Sequence, residues 1–522
     1  MACHFLSADI LTLAGTFFPR VIIVGMRTII HPWPILIRAI RSFFLFGSAL
    51  SVLYLTPVCA EGLPELGDAS GSDLSVSAER RLGESIMRDI RVQEPSYLDD
   101  PEVESYLNDL GHRLAAHAEE VGGSYRFFAI NDNSINAFAM FGGFIGVNTG
   151  LILSAQTESE LASVMAHEVS HVSQRHLARQ VAKGRQSTMA SVLAIALAVI
   201  AARSNADVIG ATLAASEAAS IQSQLAFTRD FEREADRVGL ELLERAGFDP
   251  HGMPQFFDRL HRSSRVSESN APIYLRSHPM TIDRMSDMEN RTVKIPFRQV
   301  ASSLDFHLVR AKLLALQGTP REAVKRMEEL VRERKFVAEA AARYGYALAL
   351  RREGLFSDAM TQLDLVAKMD VSAAMIERLA ADLAGSQGQW KEALVLYERA
   401  LQRFPSATAL RYAYPEALLQ AGQGETARRF LADAVQQYPG DPKLLALLAK
   451  TYAALGRLAG QHRTQAELYL LNGRITPAVE QLQLAQRVKG LDFYEQSAID
   501  ARLRELKVLQ SEEAARLRQR TQ

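Results

Sequence analysis

The chain has 522 residues, of which 48% are hydrophobic and 23% charged, so it is an ordinary folded protein too long for one core. Its formal net charge of -1 disfavours a nucleic-acid binder, which carries a basic surplus. The same balance offers no polybasic anchor for an anionic membrane. We therefore expect partners to be recognised through defined sites, with no nucleic acid and at most peripheral membrane contact.

The N-terminus is typical of an export signal. Several arginines precede the apolar run 43–55, and Val58-Cys59-Ala60 resembles a small-residue cleavage site. The run is short for a bilayer span, and an uncleaved membrane anchor is the alternative interpretation. Both cysteines, Cys3 and Cys59, lie in this leader. Cleavage after Ala60 would leave no thiol for a disulfide, a nucleophile or a metal ligand.

After a polar stretch from 61 to about 77, the spacing of apolar residues and the positions of turn-forming residues predict the secondary structure of the first half. The predicted elements are a helical stretch to 117, strands at 125–130 and 137–148, and helices at 157–183 and 225–246. Thr157 and Glu160 fit the capping-box pattern that marks a helix start. Residues 189–202 are apolar and rich in alanine, which predicts a helix buried over the core or one that touches a membrane or a client protein. Residues 262–272 are polar and irregular, which predicts a mobile loop.

From about residue 305 the sequence becomes repetitive. Gly354, Gly388, Gly422 and Gly456 are each 34 residues apart, and alanine follows the first three at a fixed distance of five residues. The segment 388–400 fits the second helix of a tetratricopeptide unit. Small residues at these positions let paired helices approach closely. The pattern predicts an all-α solenoid, whose concave surface usually binds peptides or proteins.

The segment His167-Glu168-Val169-Ser170-His171 carries the chemistry. Four residues advance a helix by about one turn, so both imidazoles lie on one face and can bind one Zn²⁺. Glu168 would then take a proton from the attacking water and deliver it to the leaving amine. The alternative is a chance occurrence on an ordinary helix. An apolar run precedes the motif, which makes buried histidines costly without a metal.

A third ligand is expected because catalytic zinc usually has three protein ligands and one open position. Glu232 and Asp236 are four apart on a predicted helix and share a face. Glu232 can bind the metal while Asp236 receives the outer N–H of a ligand histidine. The alternative is a solvated helix with local ion pairs, an interpretation that suits Glu234. His176 is expected to point away from the metal face.

With Asn136-Ala137-Phe138-Ala139 and the pair 142–143 before the motif, the sequence resembles the gluzincin peptidases related to the heat-shock membrane protease and the CAAX-processing proteases. The leader and the repeats narrow the resemblance to the periplasmic family of beta-barrel assembly-enhancing proteases. The likeness covers about residues 80–290 for the catalytic part and 305–480 for the repeats.

The resemblance implies a set of site residues. The zinc ligands would be His167, His171 and Glu232, with Glu168 as general base, Asp236 as a supporting residue, and one Zn²⁺ per chain. It also points to His278 and Arg284. His278 would cap the zinc in a resting state, or hydrogen-bond the oxyanion together with Arg284. The alternative for Ser277-His278-Pro279 is an ordinary helix start.

We thus expect an α+β zincin-like metalloprotease domain, mostly α with a small sheet, followed by an all-α tetratricopeptide repeat solenoid. The expected boundaries are 1–60 for the leader and signal peptide, 61–80 for a polar segment, 81–300 for the protease and 301–522 for the repeats. The strand after 137 would border the cleft and pair with an extended substrate.

The resemblance implies a zinc endopeptidase in the periplasm of a Gram-negative bacterium, peripheral to the outer membrane. Its substrates would be unfolded, misfolded or stalled outer-membrane proteins, and its repeats would bind the outer-membrane protein assembly machinery. Chaperone activity in outer-membrane assembly would accompany the hydrolysis. The alternative function is a chaperone or scaffold whose metal site is latent or inactive.

Overall fold

The computed structural model describes residues 74–118, 125–183, 229–266, 272–296 and 298–520. The predicted leader, the apolar stretch 189–202 and the centre of the predicted loop, 267–271, lie outside these residues. Among the helices that are described, none combines the length and the apolar character needed to cross a bilayer.

Two helices and three strands open the described chain. They are α1 Val76–Gln93, α2 Pro101–Ala115, β1 Arg126–Ile130, β2 Ala137–Ala139 and β3 Phe144–Asn148. The helical stretch predicted to 117 is interrupted between α1 and α2. The Asp100 side chain accepts hydrogen bonds from the backbone N–H groups of Glu102 and Val103, which caps α2 and explains the new start.

The three strands form one sheet in the order β1-β3-β2, with β1 parallel and β2 antiparallel to β3. The prediction of one strand from 137 to 148 is therefore wrong. A short turn at Phe141–Gly143 divides it, and Gly142 there has a φ of 73°, which glycine adopts without steric cost. The chain reverses at this turn, so that β3 returns antiparallel along β2.

Seven further helices complete the first half of the described chain. They are α3 Thr149–Ser154, α4 Glu158–Ser173, α5 His176–Lys183, α6 Arg229–Arg245, α7 Gly252–Val266, α8 Ile273–Ser277 and α9 Ile282–Thr292. The helix predicted for 157–183 starts where expected but is broken at Arg175, whose φ is 50°. Residues 262–266, predicted as loop, continue α7.

Paired helices make up the second half. They are α10 Leu304–Leu316, α11 Pro320–Arg332, α12 Glu339–Glu353, α13 Phe356–Ala367, α14 Ala374–Ser386, α15 Trp390–Arg403, α16 Thr408–Gln420, α17 Gly424–Gln437, α18 Pro442–Ala454, α19 Leu458–Leu471, α20 Ile475–Gln486 and α21 Phe493–Arg520. The periodic glycines follow α12, α14, α16 and α18 with positive φ. The alanines that follow three of them are fully buried, as close helix packing requires. The predicted fold class is confirmed.

Buried charges join α2 to the repeat helices. The ammonium group of Lys312 on α10 pairs with both Asp100 and Glu102 at the start of α2. Arg378 on α14 reaches the other oxygen of Glu102, with Nη1 3.1 Å from Oε1. Nearby, the backbone N–H of Ser303 donates to Glu158 Oε2 over 2.8 Å. The repeats therefore pack directly on the helices that surround the HExxH motif.

Candidate metal centre

Helix α4 carries the HExxH motif through the interior. The Thr157 hydroxyl accepts a hydrogen bond from the Glu160 backbone N–H over 3.2 Å and caps the helix, as the sequence predicts. Every residue from Glu158 to His171 is buried. Its polar groups must therefore find partners inside the protein, because a buried polar group without one is costly.

The two histidines of the motif face the same point. Their Nε2 atoms lie 3.0 Å apart, and His167 and His171 are 0% and 1% exposed. One helical turn separates them, which places both imidazoles on one face of α4. This confirms the local geometry that the spacing predicts.

Helix α6 brings a carboxylate to the same point. A Cβ at Gly239 would lie 3.2 Å from the backbone nitrogen of His167, so the two helices cross closely there. Glu232 lies on the same side of α6, at 3.5 Å from His167 Nε2 and 3.6 Å from His171 Nε2. Because Gly239 has no side chain, the two helices can approach closely enough to bring the predicted third ligand to the histidines.

His278, which follows α8, completes the cluster. Its Nδ1 lies 3.3 Å from His167 Nε2 and 2.9 Å from Glu232 Oε1, and it is 1% exposed. Its Nε2 lies 3.5 Å from Glu168 Oε1. His278 thus lies in the same cluster as the predicted ligands, and its capping of a resting metal stays a prediction.

These donors fit a zinc ion. One donor atom from each of His167, His171, Glu232 and His278 lies within 4.8 Å of all the others. A tetrahedral ion with ligands at roughly 2.0–2.1 Å holds them about 3.3 Å apart, close to the separations found here. Imidazole nitrogen and carboxylate oxygen are ligands that zinc accepts. The residues would hold the metal without a change of fold.

The charges of the site also favour a divalent cation. Glu168, Glu232 and Asp236 are buried with one guanidinium, that of Arg284. Three carboxylates against one guanidinium leave two formal negative charges among these four groups when the imidazoles are neutral. Within the described part of the chain, neither oxygen of Glu168 has a hydrogen bond. A bound cation with its water would compensate both the charge and the missing partner.

Asp236 and Arg284 support the ligands from behind. Asp236 Oδ1 lies 3.1 Å from His167 Nδ1, as predicted for a residue that fixes the tautomer of a ligand histidine. Arg284 Nε and Nη2 each donate to Asp236 over 2.7 Å. Nη1 lies 2.7 Å from Glu232 Oε2 and 2.9 Å from the Pro279 carbonyl. The three nitrogens of Arg284 thus hold the ligand set, and its role at an oxyanion stays a prediction.

The pKa shifts follow from these contacts. Burial alone would lower the pKa of His167, but the contacts with Asp236 and Glu232 outweigh burial and raise this pKa to about 9. Burial, followed by the charge of His167, lowers the pKa of His171 well below its usual value. Burial alone would raise the pKa of Glu232. The contacts with His278, His167 and Arg284 outweigh burial and hold this pKa well below the usual range. The carboxylate of Glu232 is therefore ionised, as a metal ligand must be, whereas His167 must release its proton when a metal binds.

Two residues that the sequence analysis set aside belong to the site. His176 Nδ1 lies 2.9 Å from His171 Nδ1, so the expectation that it points away is wrong. His176 Nε2 lies 3.1 Å from Glu234 Oε2, so Glu234 does more than form local ion pairs on a solvated helix face. The break at Arg175 turns His176 back, and the sequence gives no signal of that break.

Tyr274 was also missed. Its ring stacks on His278 with centroids 4.6 Å apart, and it is 1% exposed. In the described residues its hydroxyl has no hydrogen-bond partner. Burial and the nearby Glu168 carboxylate raise its pKa well above the usual value. Tyr274 lies on α8, four residues before His278. Helical spacing could have predicted that the two side chains lie close together.

Comparisons with known proteins agree with this geometry. The model of peptidase family M48 matches residues 101–292, and tetratricopeptide repeat models match 308–372, 386–451 and 418–460. The chain is 32% identical over 468 residues to the beta-barrel assembly-enhancing protease of Escherichia coli K12, which covers 89% of this chain and 95% of that one. It is 34% identical over 454 residues to a putative beta-barrel assembly-enhancing protease of Vibrio cholerae, which covers 85% and 92%. The mitochondrial metalloendopeptidase OMA1 of Arabidopsis thaliana is 28% identical over 217 residues, 41% of each chain.

Proposed function

The chain belongs to the family of beta-barrel assembly-enhancing proteases, and we propose that it is a zinc-dependent endopeptidase that hydrolyses misfolded or stalled outer-membrane proteins. It contains a metallopeptidase domain and tetratricopeptide repeats. The observation that carries the proposal is the buried cluster of His167, His171, Glu232 and His278 beside Glu168.

The chain's own residues divide the chemistry between them. A bound Zn²⁺ would polarise the peptide carbonyl and lower the pKa of water. Glu168, adjacent to His167, takes the proton of the attacking water and gives it to the departing amine nitrogen. Burial of both Glu168 oxygens keeps bulk water away, which strengthens this proton transfer by lowering the local dielectric. Asp236 and Arg284 keep the ligands oriented through the step.

Substrate binding is assigned to two surfaces. β2 lies at an end of the sheet order, where an extended substrate can add by main-chain pairing. The repeat helices supply the protein-binding surface usual for such modules and would engage the outer-membrane assembly machinery. We place the protein in the periplasm of a Gram-negative bacterium, on the basis of its leader sequence and of its relatives in Escherichia coli and Vibrio cholerae.

The test compares purified wild type with Glu168→Gln. Both should contain about one zinc per chain, because Glu168 is not a ligand. Cleavage of an unfolded protein should fall about 10²–10⁴-fold in the variant, the usual contribution of a general base. Equal residual cleavage by both proteins, or wild type without zinc, would contradict the proposal.

One observation favours a second candidate, a chaperone or scaffold with a latent metal site. His278 takes the fourth place in the ligand cluster, and the site residues are almost fully buried. Among the described residues, His278 therefore lies where the open position of a three-ligand metal site is expected. The repeats would then bind client proteins at all times, whereas hydrolysis would occur only after His278 moves.

His278→Ala distinguishes a latent enzyme from an inactive one. Loss of the capping side chain should raise turnover of an unfolded substrate while the other three ligands retain zinc. Zinc content, zinc coordination geometry and client binding are measured in parallel. Unchanged zinc geometry together with unchanged turnover would exclude His278 as a resting-state ligand.

A further inference from the structure

A second line of hydrogen bonds reaches the ligand set at His171, whereas Asp236 contacts His167. His171 Nδ1 lies 2.9 Å from His176 Nδ1, and His176 Nε2 lies 3.1 Å from Glu234 Oε2. The His171 and His176 side chains are 0% exposed, whereas that of Glu234 is 26% exposed. The line therefore runs from the ligand cluster to a carboxylate near the surface.

The positions of the protons along this line follow from the metal ligand. A histidine that binds a metal through Nε2 uses that lone pair, so the proton of neutral His171 resides on Nδ1. Two nitrogens at 2.9 Å share one proton, so His176 Nδ1 accepts. The proton of His176 is then on Nε2 and is donated to the Glu234 carboxylate. Each donor meets an acceptor with a single choice of tautomers.

The backbone is bent to make this contact. On an uninterrupted helix, five residues advance about 500°, which would turn His176 well away from His171. Arg175 instead has a φ of 50° and separates α4 from α5. A non-glycine residue in this region carries backbone strain and persists only where other contacts hold it. Arg175 Nη2 donates to the Leu74 carbonyl over 2.8 Å and supplies one such contact.

We propose that His176 is a positioning residue for the metal site, with Glu234 as the terminal acceptor that fixes its tautomer. The inference rests on the zinc site of the proposed function. His167 is oriented by Asp236 and His171 by the His176–Glu234 pair, so each ligand histidine of α4 has its own carboxylate support. Such outer partners orient the ligand ring and raise its basicity, and their loss usually costs 10–100-fold in metal affinity or activity.

A purely structural role for His176 is the competing explanation, and Arg179 provides the matched control. Arg179 lies on the same helix and also contacts Glu234, with Nη1 3.1 Å from Oε2. Its guanidinium lies 4.6 Å from the Phe231 ring, on which His176 also stacks. Among the described residues, Arg179 contacts Gln174, Glu234 and Phe231 but not His171. Loss of Arg179 therefore disturbs the same packing of α5 on α6 without removing the hydrogen bond to the ligand.

The experiment measures zinc affinity of the full chain by competition with a chromophoric chelator. We expect His176→Phe, which retains an aromatic ring against Phe231, to bind zinc about 10–100-fold more weakly. His176→Gln offers one acceptor and one donor and should recover most of that loss. Arg179→Met removes the ion pair with Glu234 but leaves the His171–His176 hydrogen bond in place, so it should stay within about threefold of wild type. With cobalt in the site, the visible spectrum should change in His176→Phe and not in Arg179→Met.

The outcomes separate this inference from the proposed function. Wild type that binds no zinc would defeat the proposed function itself. Wild-type zinc affinity in His176→Phe, or an equal loss in Arg179→Met, would overturn the positioning role alone. Circular dichroism of the metal-free variants checks the fold. If His176→Phe does not fold, Glu234→Ala carries the test, with an expected loss of about tenfold and no loss as the contrary result.

Discussion

Helix α4 and the repeat helix α15 bury their side chains in different ways. α4 is buried on every side and carries histidine and glutamate through its centre. α15 buries Ala393, Leu394, Tyr397 and Ala400, at helical spacing, and leaves most of its other positions at least partly exposed. The first arrangement depends on partners for buried polar groups, and the second depends on small apolar surfaces that fit together.

Removal of a charge should therefore destabilise the protein more around α4 than in the repeats. Around α4 the guanidinium of Arg284 pairs with two buried carboxylates, those of Glu232 and Asp236, so its loss leaves their charge uncompensated. In the repeats, ion pairs lie mostly at the surface and contribute little each. We expect the two regions to respond very differently to the same chemical change.

The largest effect on stability is expected for Arg284→Met. It removes the guanidinium between Glu232 and Asp236 and leaves these two buried carboxylates with histidine partners only, which should lower the free energy of unfolding of the metal-free protein by about 3–5 kcal/mol. Urea unfolding measures this change. The control is Arg291→Met on the same helix, whose pair with Asp287 is partly exposed and should contribute about 0.5 kcal/mol at most. Equal losses in both variants would refute the contrast.

A smaller loss is expected where the two regions meet. Lys312→Met removes the ammonium group between Asp100 and Glu102 and should cost about 3 kcal/mol. The loss stays at the low end because Glu102 retains Arg378 and Asp100 retains its backbone hydrogen bonds.

The matched control for that contact is Lys443→Met, which removes a second ion pair between the repeats and the N-terminal half. Its partner is Asp99, and both side chains are partly or largely exposed. We expect a loss of about 0–1 kcal/mol. Thermal unfolding of both variants under the same conditions measures the difference, and a larger loss in Lys443→Met would contradict the importance of burial.

The smallest effect is expected within the repeats. Gly388 has a φ of 77°, and a Cβ there would meet nothing within 4 Å. Gly388→Ala should therefore cost only backbone strain, about 1–2 kcal/mol. Gly388→Asn should cost less, because asparagine tolerates this conformation better. A loss much above this range, measured by urea unfolding, would mean that the position also has a packing role.

Much of the site could be predicted because it depends on local geometry. The spacing of His167 and His171 fixes a shared helix face, and Glu168 follows directly. The capping residue Thr157 gave the start of α4. The end of α4 could not be predicted, because a positive φ at Arg175 depends on contacts with distant residues such as Leu74.

Local sequence patterns specified the HExxH face, through the period of one helix, and the solenoid, through a 34-residue repeat of paired helices. The family resemblance implied the zincin-like fold of the first half. The resemblance implied that His278 approaches the metal, whereas the ion pairs of Arg284 with Asp236 and Glu232 were found only in the tertiary structure. The contacts of His176 with His171 and Glu234 were likewise found only there. These contacts depend on how α4, α5, α6 and α9 cross one another. Crossing is set by packing between segments far apart in the chain, which the order of residues along one helix does not specify.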